Sequence, residues 1–127
     1  MKKNKISKNW INKQRRDIYV RKSKLEGYRS RAIYKLKEID DKFKIIRNGI
    51  KVVDLGSAPG SWSQYLSEKS KNSKILSIDL KDIEKIHNVT HLIGDFLDEK
   101  NQTIISNFFE DKLDLIVSDM AVNTTGN

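Results

Sequence analysis

Four short apolar runs, separated by more polar stretches, follow Gly49, and this alternation constrains the fold more than any other feature of the chain. The runs are KVVDL at 51–55, KILSIDL at 74–80, HLIG at 91–94 and LDLIVS at 113–118. Each run is typical of a buried strand, and the stretches at 61–70 and about 99–110 have the character of helices. Strands that alternate with helices predict an α/β fold with a doubly wound, mostly parallel sheet, whose ligands bind outside the carboxyl ends of the strands.

An amphipathic helix is predicted just before Gly49, with Ser30 as its N-cap. The apolar positions of this helix follow a helical spacing and are Ala32, Leu36, Ile39 and Phe43. Lys35 borders this stripe, so its stem can pack on the core while its amine reaches a cleft.

Basic residues concentrate in the first part of the chain. Residues 1–51 hold 18 lysines and arginines and five acids, whereas residues 52–127 hold seven basic residues and twelve acids. A basic segment attached to an acidic body is typical of a phosphate-binding arm, although a solvated leader has the same composition. We therefore expect a basic helical RNA-binding extension over residues 1–48 and a sheet domain over 49–127. The expected RNA contacts are Lys13, Arg15, Arg16, Arg21, Lys22, Lys24, Arg29 and Arg31.

Two aromatic residues lie within the basic stretch. Trp10 and Tyr19 would either anchor it on the core or stack on nucleic-acid bases, and the stretch itself predicts one or two helices.

A glycine-rich turn after the first predicted strand is the strongest chemical signal. It reads Asp54-Leu55-Gly56-Ser57-Ala58-Pro59-Gly60-Ser61-Trp62. Such a turn lets a ligand approach the backbone, and the helix that follows presents free N–H groups to an anion. A nicotinamide fingerprint would need glycine where Ala58 and Ser61 stand, and no GK[ST] triplet of a phosphate loop occurs. Asp54 better suits a ligand with both an amine and a carboxylate, such as S-adenosylmethionine.

Further acids lie at the ends of the next two predicted strands. Asp79 lies where carboxylates bind ribose hydroxyls in this architecture, and Asp95 could accept from an adenine amino group while Phe96 lines the ring. Each acid alone would more often cap a helix or face solvent, but three at successive strand ends favour a nucleoside site. Trp62 is equally suited to anchor the core or to line the pocket.

Residues that the sequence lacks exclude several kinds of protein. There is no cysteine, which excludes a disulfide, a thiolate zinc site and a cysteine nucleophile, and His87 and His91 are the only histidines. No apolar run approaches the roughly 20 residues of a membrane span, and the lysine-rich start lacks the apolar region of a signal peptide. We expect a cytoplasmic monomer without a metal ion or a membrane segment.

Four motifs in order along the chain resemble the FtsJ/RrmJ (RlmE) family of ribosomal RNA methyltransferases. They are RSRAIYKL at 29–36, VDLGSAPGSWSQ at 53–64, GDF at 94–96 and SDMAVN at 118–123. The resemblance implies a Rossmann-like methyltransferase fold. It also implies transfer of a methyl group from S-adenosyl-L-methionine to a uridine ribose 2′-hydroxyl in large-subunit (23S) ribosomal RNA, with this RNA or the large ribosomal subunit as the partner.

The resemblance also assigns roles to residues of the site. It makes Gly60, Trp62, Asp79 and Asp95 contacts of the cofactor. It makes Lys35 and Asp119 the first two members of a Lys-Asp-Lys-Glu catalytic tetrad, with Asp119 also touching the cofactor.

The chemistry of the residues agrees with ribose methylation. Methylation of a pyrimidine C5 atom would need the absent cysteine, and methylation of an exocyclic amine typically uses an Asp/Asn-Pro-Pro-aromatic loop, where this chain has DMAV at 119–122. A ribose hydroxyl needs only a positioned base and alignment with the methyl group. The alternative is a non-catalytic RNA- or cofactor-binding module.

Two departures from the family pattern change the expected activity. Val122 stands where the family usually has proline, and the chain ends at Asn127, before the second lysine, the glutamate and the last strands of the family sheet. We therefore expect a truncated chain with an incomplete sheet. A lysine beside a carboxylate is held in its ammonium form and is a poor base, so we also expect this chain to be inactive or weakly active.

Overall fold

The computed structural model describes residues 2–119, and from residue 8 onward it also describes the side chains. Eight elements follow in chain order: α1 Lys2–Leu25, α2 Ile33–Phe43, β1 Lys51–Leu55, α3 Ser61–Lys69, β2 Lys74–Asp79, β3 Val89–Ile93, α4 Glu99–Phe109 and β4 Leu115–Ser118. Of the family motif at 118–123, only the first two residues lie within the described part of the chain.

The described strands form one parallel sheet in the order β3-β2-β1-β4. The predicted bounds of β1 are confirmed, whereas β3 begins two residues earlier than predicted and β4 two residues later. Just before β4, Asp114 makes two hydrogen bonds with Lys51 at the start of β1. Its amide donates to the Lys51 carbonyl at 2.8 Å, and its carboxylate accepts from the Lys51 amide at 2.9 Å.

Helices cover both faces of the sheet, which confirms the doubly wound α/β prediction. Alternate residues of β1 point to opposite faces: Val52 packs with Ile33 of α2 and Leu66 of α3, and Val53 packs with Phe109 of α4. The carboxyl ends of all four strands consequently meet at one edge, where the glycine turn and the strand-end acids lie.

Helix α2 differs from the prediction at its start and in its buried face. Its N-cap is Ala32, without a side-chain hydrogen bond, so the prediction for Ser30 is wrong. Phe43 is 63% exposed, and Asp40 is buried instead. Asp40 is stable there because its two carboxylate oxygens accept from the Ile46 amide at 2.9 Å and from the Tyr65 hydroxyl at 2.7 Å.

The basic stretch forms a single helix, α1, that contacts the body near its C-terminal end. Trp10 is 62% exposed, so of the two roles considered for it, that of a core anchor is excluded. Tyr19 instead packs against Tyr34 of α2, with ring centroids 5.3 Å apart, and Lys22 lies over the Tyr34 ring. Although α1 is long, none of the helices in the described part of the chain is apolar enough to cross a membrane.

Candidate functional site

The glycine turn is held tightly against the end of β2. The amide of Gly56 donates to the Ile78 carbonyl at 2.9 Å, and the amide of Ala58 donates to Asp79 Oδ2 at 3.0 Å. Gly56 and Gly60 have φ values of 69° and 113°. Residues with a Cβ atom strongly disfavour such positive φ values. The turn is therefore preorganised by β2 without any ligand.

Asp79 lies between the turn and the loop after β2. While Oδ2 accepts from Ala58, Oδ1 accepts from the Lys81 amide at 2.9 Å, which fixes the orientation of the carboxylate. A carboxylate has about four acceptor positions, so these two bonds leave capacity for ribose hydroxyls.

Asp54 is the buried acid of the site, with 1% of its surface exposed. The Ser63 hydroxyl donates to its Oδ2 at 2.8 Å. Burial raises the pKa of Asp54 from 3.8 to about 7; the Ser63 hydrogen bond opposes this rise, and the nearby carboxylates of Asp119 and Asp79 add to it. The three acids together form a region that favours a cationic ligand group.

A cavity of about 560 Å³ opens beside Asp79. Its walls combine apolar side chains with acids and include Ile78, Asp79, Leu80, Asp95, Phe96, Leu97 and Asp119. Leu80 and Leu97 are 73% and 77% exposed, so the cavity carries apolar surface that is open to solvent. The sequence reasoning missed both residues, although each follows a strand-end acid by one or two positions.

Asp95 is positioned by its own loop. Its Oδ1 accepts from the Leu97 amide at 2.9 Å, and its carbonyl accepts from Asn101 Nδ2 at 2.8 Å. A Cβ at Gly94 would lie 2.5 Å from Asn101 Nδ2, so glycine is required there for the asparagine to reach this carbonyl.

Trp62 combines the two roles that the sequence left open. It is 5% exposed within the core, and its Nε1 donates to the Ala32 carbonyl at 2.7 Å. It also lines a small cavity with Asp54, the turn residues Gly56, Ala58 and Pro59, and Asp119.

Lys35 and Asp119 meet although 84 residues separate them. Lys35 Nζ donates to Asp119 Oδ1 at 3.2 Å, with 67% of the lysine side chain and 29% of the aspartate side chain exposed. The pair lies in a cleft of about 900 Å³ whose walls include Tyr19, Lys22, Arg31, Tyr34 and Lys37. Asp119 lines this cleft and both cavities on the turn side, so it stands where they meet.

The residues predicted to bind RNA separate into two kinds. Seven of them are exposed, and six of these seven lie on α1. Arg29 is half-buried, and its guanidinium donates to backbone carbonyls of Pro59, Glu84 and Lys85. The sequence did not indicate these tertiary contacts.

The sequence profile of the FtsJ-like methyltransferases matches residues 28–127. The chain belongs to the FtsJ-like methyltransferase family. The matched range contains the glycine turn, the strand-end acids and the Lys35–Asp119 pair, so the resemblance seen in the four sequence motifs is confirmed.

Similar proteins extend the comparison to nearly the whole FtsJ-like chain. A ribosomal RNA large subunit methyltransferase E from Pelagibacter ubique (strain HTCC1062) is 61% identical over 126 residues, which are 99% of this chain and 62% of the relative. The protein of the same name from Legionella pneumophila (strain Corby) is 46% identical over 100% of this chain and 63% of its own length. The chain thus spans somewhat less than two thirds of these relatives.

A solved structure supports the fold of this FtsJ-like chain. A ribosomal RNA methyltransferase from Plasmodium falciparum has a TM-score of 0.69 and 37% sequence identity, over 79% of this chain and 60% of that one. The predicted Rossmann-like methyltransferase fold is therefore confirmed.

Proposed function

We propose that this chain forms the cofactor site and part of the catalytic site of a ribosomal RNA methyltransferase that acts on a uridine ribose 2′-hydroxyl of the large subunit. The observation that carries the proposal is the Lys35–Asp119 pair, 3.2 Å apart, at the meeting point of the cleft and the turn-side cavities. Direct methyl transfer needs the methyl donor and the acceptor hydroxyl aligned at short distance. At this position, the cofactor and the RNA could bind on opposite sides of Asp119. The names of the Pelagibacter and Legionella relatives support the RNA substrate.

The donor set of the turn-side cavities fits S-adenosylmethionine. Leu80, Phe96 and Leu97 provide an apolar wall for adenine, Asp95 an acceptor for its amino group, and Asp79 acceptors for the ribose. The buried Asp54, with Gly56 to Trp62, would hold the amino acid end, where an ammonium and a sulfonium need negative charge. When bound, this cofactor supplies an electrophilic methyl group.

Lys35 and Asp119 would act on the ribose. The ammonium of Lys35 can donate to an oxygen of the acceptor nucleotide, and the carboxylate of Asp119 fixes the direction of that ammonium. Since Lys35 meets Asp119 as a hydrogen-bond donor, we assign it the role of positioning the hydroxyl and not that of a base. We accordingly infer slow transfer by the 127-residue chain, since general-base catalysis typically contributes about 10² to 10⁴ in rate.

Helix α1 would hold the RNA through its phosphates. Its exposed lysines and arginines lead along the helix to Lys22, which lies in the wall of the cleft near Lys35. We propose residues 1–48 as the RNA-binding extension and residues 49–127 as the cofactor-binding part of a cytoplasmic monomer without a metal ion.

Calorimetry with S-adenosylmethionine and transfer of labelled methyl groups to unmodified ribosomal RNA test the proposal. We expect cofactor binding, and slow transfer that Lys35→Ala abolishes while leaving cofactor affinity unchanged. Failure of the folded chain to bind S-adenosylmethionine would overturn the cofactor site. Binding of cofactor and RNA with no transfer at all would favour the non-catalytic binding module.

A further inference from the structure

Arg29 lies in the link between α1 and α2 and bridges two segments at the carboxyl edge of the sheet. Its Nη1 donates to the carbonyls of Pro59 at 3.0 Å and Glu84 at 2.7 Å, and its Nη2 donates to the carbonyl of Lys85 at 3.2 Å. Pro59 belongs to the glycine turn after β1, whereas Glu84 and Lys85 belong to the connection between β2 and β3. One side chain therefore ties the turn to its neighbouring loop.

The turn is shaped to receive this guanidinium. A Cβ placed on Gly60 would lie 3.0 Å from Arg29 Nη1 and 3.0 Å from Ile86 Cδ1, which is closer than ordinary packing allows. Gly60 also has a φ of 113°. Glycine at this position thus permits the close approach of Arg29 as well as the course of the turn.

The backbone of Arg29 is fixed in turn by α3. Its amide donates to Gln64 Oε1 at 2.9 Å, and Gln64 Nε2 donates to the Gly27 carbonyl at 3.2 Å. One residue later, the Ser30 and Ser61 hydroxyls are 2.8 Å apart. Contacts with α3 therefore fix the backbone both before and after Arg29.

This geometry distinguishes Arg29 from Arg31, although both were predicted to bind RNA. A guanidinium has five N–H donors in a planar fork, and Arg29 uses two of its nitrogens to donate to three carbonyls. Arg31 is exposed, and its side chain has no hydrogen bond or ion pair with any residue in the described part of the chain. Arg31 is free to contact a phosphate, whereas Arg29 is already engaged.

We propose that Arg29 is a positioning residue for the methyl-donor site: it holds the glycine turn in the conformation that binds the cofactor, and it does not contact RNA. The inference rests on the proposed S-adenosylmethionine site. Without the guanidinium, the turn keeps its bonds to β2 but loses those on its outer side, so a smaller fraction of molecules is competent to bind. If that fraction falls to one tenth, the apparent Kd rises about tenfold.

The test compares Arg29→Ala with two matched variants in the full chain. Arg31→Ala removes an arginine two residues away, and Arg47→Ala removes an exposed arginine that precedes β1 at the opposite end of the sheet. S-adenosylmethionine affinity is measured by calorimetry, RNA affinity by anisotropy at several salt concentrations, and amide hydrogen exchange is followed at residues 56–61 without ligand.

We expect Arg29→Ala to weaken S-adenosylmethionine about tenfold and to speed exchange in the turn, with the RNA salt slope unchanged. Arg31→Ala should show the reverse, a salt slope smaller by about one and normal cofactor affinity, and Arg47→Ala should change neither. Arg29→Lys keeps the charge and covers the case in which the alanine variant does not fold; it should bind RNA normally and the cofactor more weakly than wild type.

Two results would overturn the inference while leaving the proposed function intact: wild-type cofactor affinity in both Arg29 variants, or a smaller salt slope in Arg29→Ala with unchanged exchange in the turn. Failure of the wild-type chain to bind S-adenosylmethionine is a different outcome, because it removes the cofactor site itself and the inference with it.

Discussion

The carboxyl edge of the sheet and helix α1 are built on opposite principles. At the sheet edge, acids and backbone amides are fixed by short hydrogen bonds, as in Ala58 to Asp79 at 3.0 Å and Ser63 to Asp54 at 2.8 Å. On α1, Lys8, Lys13, Arg15 and Arg16 are exposed, and none of these four side chains forms an ion pair with the described part of the body. A small ligand with defined donors and acceptors requires fixed partners, whereas a polyanion is attracted by charge that need not be fixed.

The largest expected effect is the loss of RNA affinity when residues 1–18 are deleted, because this change alters α1 and leaves the sheet edge intact. The deletion removes seven of the basic residues but keeps Tyr19, Lys22 and the contacts of α1 with α2. If four to seven phosphate contacts are lost, the salt slope should decrease by about 3 to 6, and RNA affinity near 0.1 M salt should fall on the order of 10³-fold or more. Anisotropy titrations at several salt concentrations measure both.

Cofactor affinity is the control for this deletion. We expect S-adenosylmethionine to bind as it does to the full chain, because the turn and its partners are untouched. An unchanged salt slope would show that this part of α1 is a solvated leader.

The buried Asp54 should make stability depend on pH. Its pKa is about 7 in the folded chain and near 3.8 when unfolded, so between these values the folded state holds a proton that the unfolded state has released. The free energy of unfolding therefore falls as pH rises from about 4 to 7, and the full cost is present above pH 7. At about 1.4 kcal/mol per pKa unit, that cost is on the order of 4 kcal/mol.

Asp54→Asn tests this linkage. The amide oxygen can still accept from Ser63, and no charge has to be buried, so the variant should be more stable than wild type at pH 8 and should lack this pH dependence. Denaturant unfolding at pH 5 and pH 8 measures the difference. The same variant should bind S-adenosylmethionine more weakly, because it lacks negative charge near the cationic groups of the cofactor. A wild-type pH profile in the variant would assign the titration to another group.

Much of the fold could be predicted because its signals are local. The bounds of β1 and the helical stretches after β1 and β3 follow from runs of apolar residues, and the strand-end acids share one edge in any parallel sheet. The Lys35–Asp119 contact could be predicted only from the family resemblance, since nothing local relates residues 84 positions apart.

The remaining features depend on tertiary contacts that leave no periodic pattern. Serine is typical of the N-cap position, but the hydroxyl of Ser30 instead forms a hydrogen bond with that of Ser61. Arg29 is one more basic residue in a basic segment until its three carbonyl acceptors are seen. When a side chain has several possible hydrogen-bond partners, only the tertiary structure shows which of them it contacts.

Asp79→Ala should weaken cofactor binding by a smaller but specific amount. It removes the predicted ribose acceptor and leaves the Ala58 amide without its carboxylate partner. Loss of charge-assisted hydrogen bonds costs about 1.5 to 3 kcal/mol, which corresponds to a Kd about 10- to 100-fold higher in calorimetry. Asp82→Ala is the matched control in the same loop, since Asp82 is exposed and caps only the Ile83 amide. Equal losses in both variants would point to the loop as a whole and not to Asp79.

The smallest effect is expected for Trp62→Phe, which compares the core role of this residue with its role in the cavity wall. Phenylalanine keeps most of the buried ring but cannot donate to the Ala32 carbonyl. That carbonyl still accepts from the Lys35 amide at 3.2 Å, so the cost in urea unfolding should be that of one ordinary hydrogen bond, about 0.5 to 1.5 kcal/mol, together with that of the cavity left by the missing ring atoms. Since a similar ring still lines the small cavity, S-adenosylmethionine affinity should stay close to wild type. Weaker binding at unchanged stability would contradict this expectation and make Trp62 chiefly a ligand contact, which would add a residue of the core to the fixed partners of the cofactor.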